Sequence, residues 1–93
     1  MSVVIIGGNE CMINQYKDLC QQYDCDAKVF IYFRSGMKNQ IGNPDLMVLF
    51  TSTISHKMLQ YALSETKGSK TVIARSHSSS KSALKAILEQ HAG

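Results

Sequence analysis

What the chain has little of narrows its class first. Its three cysteines, Cys11, Cys20 and Cys25, are odd in number and contain no C-x-x-C pair. That argues against a disulfide scaffold or a zinc ribbon. No apolar run approaches the roughly 20 residues needed to cross a bilayer, so no membrane partner is expected. The N-terminus runs straight into Val3-Val4-Ile5-Ile6, with no basic leader and no cleavage site. That points away from a signal peptide and toward a cytoplasmic location. Charged residues make up 18% of the 93 positions and hydrophobic ones 44%, a balance that suits a globular chain rather than a disordered one. At this length one domain over residues 1–93, with a modest core, is the expectation.

The charge is small but uneven. Residues 1–46 hold four Lys/Arg against five Asp/Glu, whereas residues 47–93 hold six against two. The second half is therefore biased toward an anionic ligand. The bias falls short of the dense basic stripe of a dedicated nucleic-acid binder, so nucleic acid is not the favoured partner.

The order of elements follows from periodicity. Val3 to Ile6 is a wholly apolar run closed by Gly7-Gly8, as in a buried strand followed by a tight turn. Met12, Ile13, Tyr16, Leu19, Cys20 and Tyr23 then recur at helical spacing, with Asn9 placed to cap the helix they form. A second strand is expected over 28–33, where aromatic and β-branched residues concentrate. Residues 34–45 are ambiguous: Met37 and Ile41 suit one face of a short helix, which Gly36, Gly42, Asn43 and Pro44 would limit. Leu46 to Phe50 is a third buried strand. Met58, Leu59, Ala62 and Leu63 mark a helix ending near Gly68. Thr71 to Ala74 reads as a fourth strand. Ala83, Leu84, Ile87 and Leu88 mark a last helix with a serine as its cap. Strands alternating with helices predict a small three-layer, flavodoxin/Rossmann-like α/β fold with a four-stranded parallel sheet in the order 2-1-3-4.

Ligands of open parallel sheets bind beyond the carboxyl ends of the strands, where strand order reverses. Three segments arrive there. They are Gly7-Gly8-Asn9, continuing to Glu10 and Cys11; Thr51-Ser52-Thr53-Ile54-Ser55-His56-Lys57; and Arg75-Ser76-His77-Ser78-Ser79-Ser80. Each leads into a helix N-terminus, where amide groups and the helix dipole favour anions. The hydroxyls, Lys57 and Arg75 would add donors. The expected ligand-binding set is accordingly Gly7, Gly8, Asn9, Thr51, Ser52, Thr53, Ser55, His56, Lys57, Arg75, Ser76, His77, Ser78, Ser79 and Ser80. Capping alone also accounts for the hydroxyls of 51–55 and 76–80, and Gly7-Gly8 could serve only the turn.

Several familiar chemistries are missing from these segments. Gly7-Gly8 is neither G-x-G-x-x-G nor a Walker A loop. Cys11 stands at a helix start that could activate a thiol, but the C-x5-R loop of a phosphatase fails because position 17 is Lys17. Asp45 lies at the wrong end of its strand for a receiver domain. Only Glu10 approaches the three segments, so the paired acids of a glycosidase have no candidates there. No catalytic residue and no metal ligand is assigned, and no cofactor is identified.

The stretches V-V-I-I-G-G at 3–8, T-S-T-I-S-H-K-M at 51–58 and R-S-H-S-S-S at 75–80 resemble a bacterial family known as domain of unknown function 2325. With the alternating elements, the resemblance extends across nearly the whole chain. It implies a compact bacterial α/β protein and supplies no reaction, cofactor or catalytic set.

The leading functional expectation is a non-catalytic binding or regulatory module for a small anionic ligand. The alternatives are a metal- or haem-linked sensor using His56 and His77, with or without Cys11; a small transferase or hydrolase with either histidine as acid/base; and an interaction protein whose loops only cap helices. A homodimer is also expected. Strand two would be a sheet edge, yet Val29 to Phe33 put apolar groups on both of its faces.

Overall fold

The structure is a computed structural model that describes residues 1–32 and 41–91. The ambiguous segment around Met37 thus lies largely outside the described residues. The elements run β1 (Ser2–Ile6), a 3-10 turn (Glu10–Met12), α1 (Ile13–Gln22), β2 (Asp26–Phe30), β3 (Leu46–Phe50), α2 (His56–Glu65), β4 (Val72–Ser76) and α3 (Lys81–His91). All four strands are parallel, in the order β2-β1-β3-β4.

The uninterrupted apolar runs of β1 and β3 are explained by what covers them. Neighbouring side chains on a strand point to opposite faces. Val3 and Ile5 of β1, with Leu46, Val48 and Phe50 of β3, face a layer built from Tyr16, Leu19 and Cys20 of α1 and Leu84 and Leu88 of α3. Val4 and Ile6, with Met47 and Leu49, face Met58 and Ala62 of α2, together with Ile41. The three layers are therefore α1 and α3, the sheet, and α2. This is a small flavodoxin/Rossmann-like arrangement, and the reversal of strand order falls between β1 and β3.

Two strand boundaries depart from expectation, and both corrections follow from register. β2 begins at Asp26, opposite Ser2, and ends at Phe30, opposite Ile6. Beyond that point the Gly7 amide donates to the Phe30 carbonyl at 2.8 Å and β1 turns away, so Ile31 and Tyr32 have no continuing neighbour on which to extend a ladder, and Phe33, the last residue of the expected strand, lies outside the described residues. β4 is shifted toward its carboxyl end. It pairs from Leu46↔Val72 to Phe50↔Ser76, while the Thr71 hydroxyl donates to the Pro44 carbonyl at 2.6 Å just before the strand begins. Arg75 and Ser76 are consequently strand residues rather than loop residues.

Candidate functional site

The turn after β1 is set by its two glycines. Gly7 and Gly8 have φ of +92° and +101°, a region that side-chain-bearing residues rarely enter. Space is equally restrictive. A Cβ on Gly7 would collide with the Ile54 Cγ2 methyl and lie 2.8 Å from Thr53 Oγ1; one on Gly8 would lie 2.8 Å from Tyr16 Cε2 and 3.1 Å from Phe50 Cδ2. The glycine pair is thus needed by the close approach of the chain's own side chains.

Two hydroxyls tie the three carboxyl-end segments together. Thr53 Oγ1 accepts from the Gly8 amide at 2.7 Å and donates to the Phe50 carbonyl at 2.9 Å. This links the turn after β1 to the turn after β3. Tyr16 Oη accepts from the Asn9 amide at 3.2 Å and donates to the Ser79 carbonyl at 2.5 Å. This links the turn after β1 to the loop after β4. Tyr16 has no solvent exposure, and its ring tilts against Phe50 at 5.5 Å between centroids. A third link joins the second and third segments directly, because the Thr51 amide donates to the Ser76 carbonyl at 2.9 Å.

Around these ties the remaining candidates take distinct places. Asn9 caps the 3-10 turn, its side chain accepting from the Cys11 amide at 2.9 Å. Ser55 caps α2, accepting from the Met58 amide at 3.1 Å. Ser80 accepts from the Ala83 amide at 3.2 Å at the start of α3. The Ser76 hydroxyl donates to the Ser78 carbonyl at 2.7 Å, and the Ser78 hydroxyl donates to Ser80 Oγ at 3.1 Å. Capping therefore accounts for part of the hydroxyl content of both segments. Ser52, His56, Lys57, Arg75 and His77 are exposed. His56 turns along its own helix, with Nε2 2.9 Å from Gln60 Nε2.

Glu10 is the carboxylate of this end, and it accepts a hydrogen bond from Tyr32 Oη at 2.6 Å. Among the described residues no three His, Cys, Asp or Glu side chains gather closely enough to hold a metal ion. Groups whose ionisation is displaced lie at the other end of the molecule. Burial, then the neighbouring Cys25 thiol, pushes Cys20 up to about 11. Cys25 immediately precedes β2; burial pushes it up, and the N-terminal ammonium opposes that rise. Cys11 is exposed, and all three cysteines are free thiols. Among the described residues no buried side-chain nitrogen or oxygen lacks a hydrogen-bond partner.

The sequence pattern of a bacterial family, described as uncharacterized protein conserved in bacteria (DUF2325), matches residues 2–91. The chain belongs to this family. The comparisons with curated proteins and with solved structures each returned no match. None of the described helices of this DUF2325 chain is long and apolar enough to cross a membrane.

Reading the sequence missed the central part of Tyr16, which it placed only on the buried face of a helix. A signal was available. A buried tyrosine must find a partner for its hydroxyl, and position 16 falls in the first turn of the helix that follows the glycine pair, within reach of loop backbone.

Proposed function

We propose that the protein is a non-catalytic binding or regulatory module that holds a small anionic ligand at the carboxyl ends of its strands. One observation carries the reading. Three segments rich in donors are tied into one surface by the Thr53 and Tyr16 hydroxyls, and the second and third of them carry the exposed Lys57 and Arg75. The C-terminal half, which supplies β3, α2, β4 and α3, carries the excess of Lys and Arg, so the field there favours an anion. A metal-linked role for His56 and His77 has less support, since His56 Nε2 lies against Gln60 Nε2 on its own helix and no group of three such ligands gathers among the described residues. The test is titration with inorganic phosphate, followed through backbone amide resonances. Shifts confined to 7–11, 51–57 and 75–80 are expected. Arg75→Ala should weaken binding by about 1.5–3 kcal/mol, the scale of a hydrogen bond to a charged group. Shifts scattered over the surface, or none at all, would reject the site.

The proposal includes a homodimer in the cytoplasm. Val29 and Phe30 of β2 are each partly buried within the chain, against the first and second core layers. That reduces the pressure for a partner to cover β2. The opposite edge, β4, is the better place for a second copy. Val72 there is 45% exposed. Because the Val72 amide and the Ser76 carbonyl are directed toward β3, the amides of Ile73 and Arg75 are directed outward, as parallel pairing requires. Mass measured against concentration tests the dimer. The cytoplasmic setting rests on the three free thiols, and alkylation of intact cells, with all three recovered reduced, is the expected result.

A further inference from the structure

We propose that two copies of the chain pair antiparallel through their β4 edges, with Ala74 on the twofold axis, and that an anion at Arg75 strengthens the pairing. This rests on the anion-site and dimer readings and joins them. β4 (Val72–Ser76) is the last strand in the order β2-β1-β3-β4. Its outer edge is accessible at Val72, which is 45% exposed, and at Arg75, which is exposed as well. The Val72 amide donates to the Asp45 carbonyl at 3.0 Å, and the Ser76 carbonyl accepts from the Thr51 amide at 2.9 Å. Backbone groups of successive strand residues alternate in side, so the N–H and C=O of Ile73 and of Arg75 point away from β3. Such a row is a template for one more strand.

The register follows from symmetry. Overlapping the whole of β4 with its twofold copy sets Ala74 opposite Ala74 and Ile73 opposite Arg75. Each Ile73–Arg75 pair then exchanges two hydrogen bonds, so every outward group of those residues is used. The small Ala74 side chain suits the axis, where opposed Cα atoms are roughly 4.5 Å apart. Sliding the copy until Arg75 faces Arg75 would set like charges directly opposite each other. Charge decides what the pairing needs. Side chains alternate in face along a strand, and Ile73 packs in the layer of α2, so Arg75 lies on that face too. The two Arg75 residues become diagonal neighbours roughly 7–8 Å apart, within reach of long side chains. Between Glu65 and Glu89 the chain carries Lys67, Lys70, Arg75, Lys81 and Lys85, and no Asp or Glu; all five cations are exposed. Pairing thus brings cations together with no carboxylate of the same stretch to offset them. An anion bound at Arg75 relieves that repulsion. By linkage it tightens the dimer, and the dimer tightens the anion by the same factor.

Sedimentation equilibrium of the unmodified chain, in sodium chloride and in inorganic phosphate at equal ionic strength, reads the linkage. Two unit charges about 8 Å apart disfavour association by roughly 2- to 30-fold between the dielectric of water and that of a protein surface. The dimer dissociation constant should therefore fall by about tenfold in phosphate. Arg75→Ala keeps the outward amide and should dimerise equally in both salts. Arg75→Pro lacks that amide but loses no bond within the chain's own sheet. It should stay monomeric while its circular dichroism matches the parent's. Ala74→Cys, once oxidised, should give a 74–74 cross-link in peptide maps, because the Cα separation at the axis lies within the disulfide range. A dimer equally tight in both salts overturns the anion linkage while leaving the dimer. A dimer without that cross-link overturns the register. A monomer in both salts overturns the pairing and the dimer together, and phosphate-induced shifts in the three loops would then uphold the anion site alone.

Discussion

Replacing Tyr16 with phenylalanine removes one oxygen from the point where the three carboxyl-end segments are tied. The ring would keep its packing against Phe50, at 5.5 Å between centroids, so no cavity opens. Lost are the bonds to the Asn9 amide, at 3.2 Å, and to the Ser79 carbonyl, at 2.5 Å. Leaving a buried backbone donor or acceptor without a partner costs about 1–3 kcal/mol. Both groups here are only partly buried, and water can relieve some of the loss, so about 2 kcal/mol for the pair is the working value. For a chain of this size that corresponds to a drop in Tm of roughly 8–16 °C. Thermal unfolding followed by circular dichroism reads the drop directly. Tyr23→Phe is the control, since the Tyr23–Glu89 bond of 3.2 Å is exposed, and its removal should change stability by less than about 0.5 kcal/mol. Hydrogen exchange adds locality: the Asn9 amide should exchange faster in Tyr16→Phe while amides of β3 keep their relative protection. A Tyr16→Phe protein melting within about 3 °C of the parent would refute the claim that this hydroxyl holds the loops together.

The buried thiols give a pH dependence of known sign. Cys20 is pushed up to about 11 from 9.0 by burial, so the folded chain keeps a proton that the unfolded chain loses. Its contribution to stability is fully present below about pH 9 and declines as pH rises toward 11; Cys20→Ala should flatten that limb in urea melts taken across the range. The dimer proposal predicts a twofold mass by light scattering that persists to low micromolar concentration. It also predicts conversion to monomer when Val72 on the β4 edge is replaced by lysine, and a monomer mass at every concentration would remove it.

How legible each feature was depended on what had specified it. The sheet order and the central strands were legible because β1 and β3 are covered on both faces, and that demand writes itself as unbroken runs, Val3 to Ile6 and Leu46 to Phe50. The boundaries of β2 were not legible. Phe30, Ile31, Tyr32 and Phe33 have the composition of a strand, but the ladder stops at Phe30 because its neighbour turns at Gly7. The limit is imposed by another strand and leaves no mark in the residues themselves. Arg75 was misplaced for a related reason. A strand edge facing solvent on one side tolerates a charged residue, so the arginine that ends the apolar run does not end β4. Convergence of the three loops was foreseeable from topology. The partners that attach them were not, since the Thr53–Gly8 and Tyr16–Ser79 bonds join segments distant in the chain.

The glycine pair shows why sequence left the site open, and it yields the sharpest test of how an anion would be held. A Gly-Gly turn after a buried strand has two explanations: backbone that must approach a ligand, or backbone that must approach its own chain. Thr53, Ile54, Tyr16 and Phe50 fill the space around Gly7 and Gly8, so the second explanation suffices for both. The amides are committed as well, Gly7 to the Phe30 carbonyl and Gly8 to Thr53 Oγ1. An anion held by this turn would have to displace the Thr53 hydroxyl, whereas one held by Arg75, Lys57 and the serines would not. Thr53→Val separates the two cases. It removes the internal acceptor at 2.7 Å, at an expected stability cost of about 1 kcal/mol, and leaves the Gly8 amide available. If side-chain donors carry the site, phosphate affinity in Thr53→Val should not rise above that of the parent, because the vacated Gly8 amide makes no bond to the anion. If the turn itself is the site, removing its internal competitor should tighten phosphate by about tenfold, the value of roughly one charge-assisted hydrogen bond. Side-chain donors are the expectation, and a tenfold tightening would move the ligand onto the glycine turn.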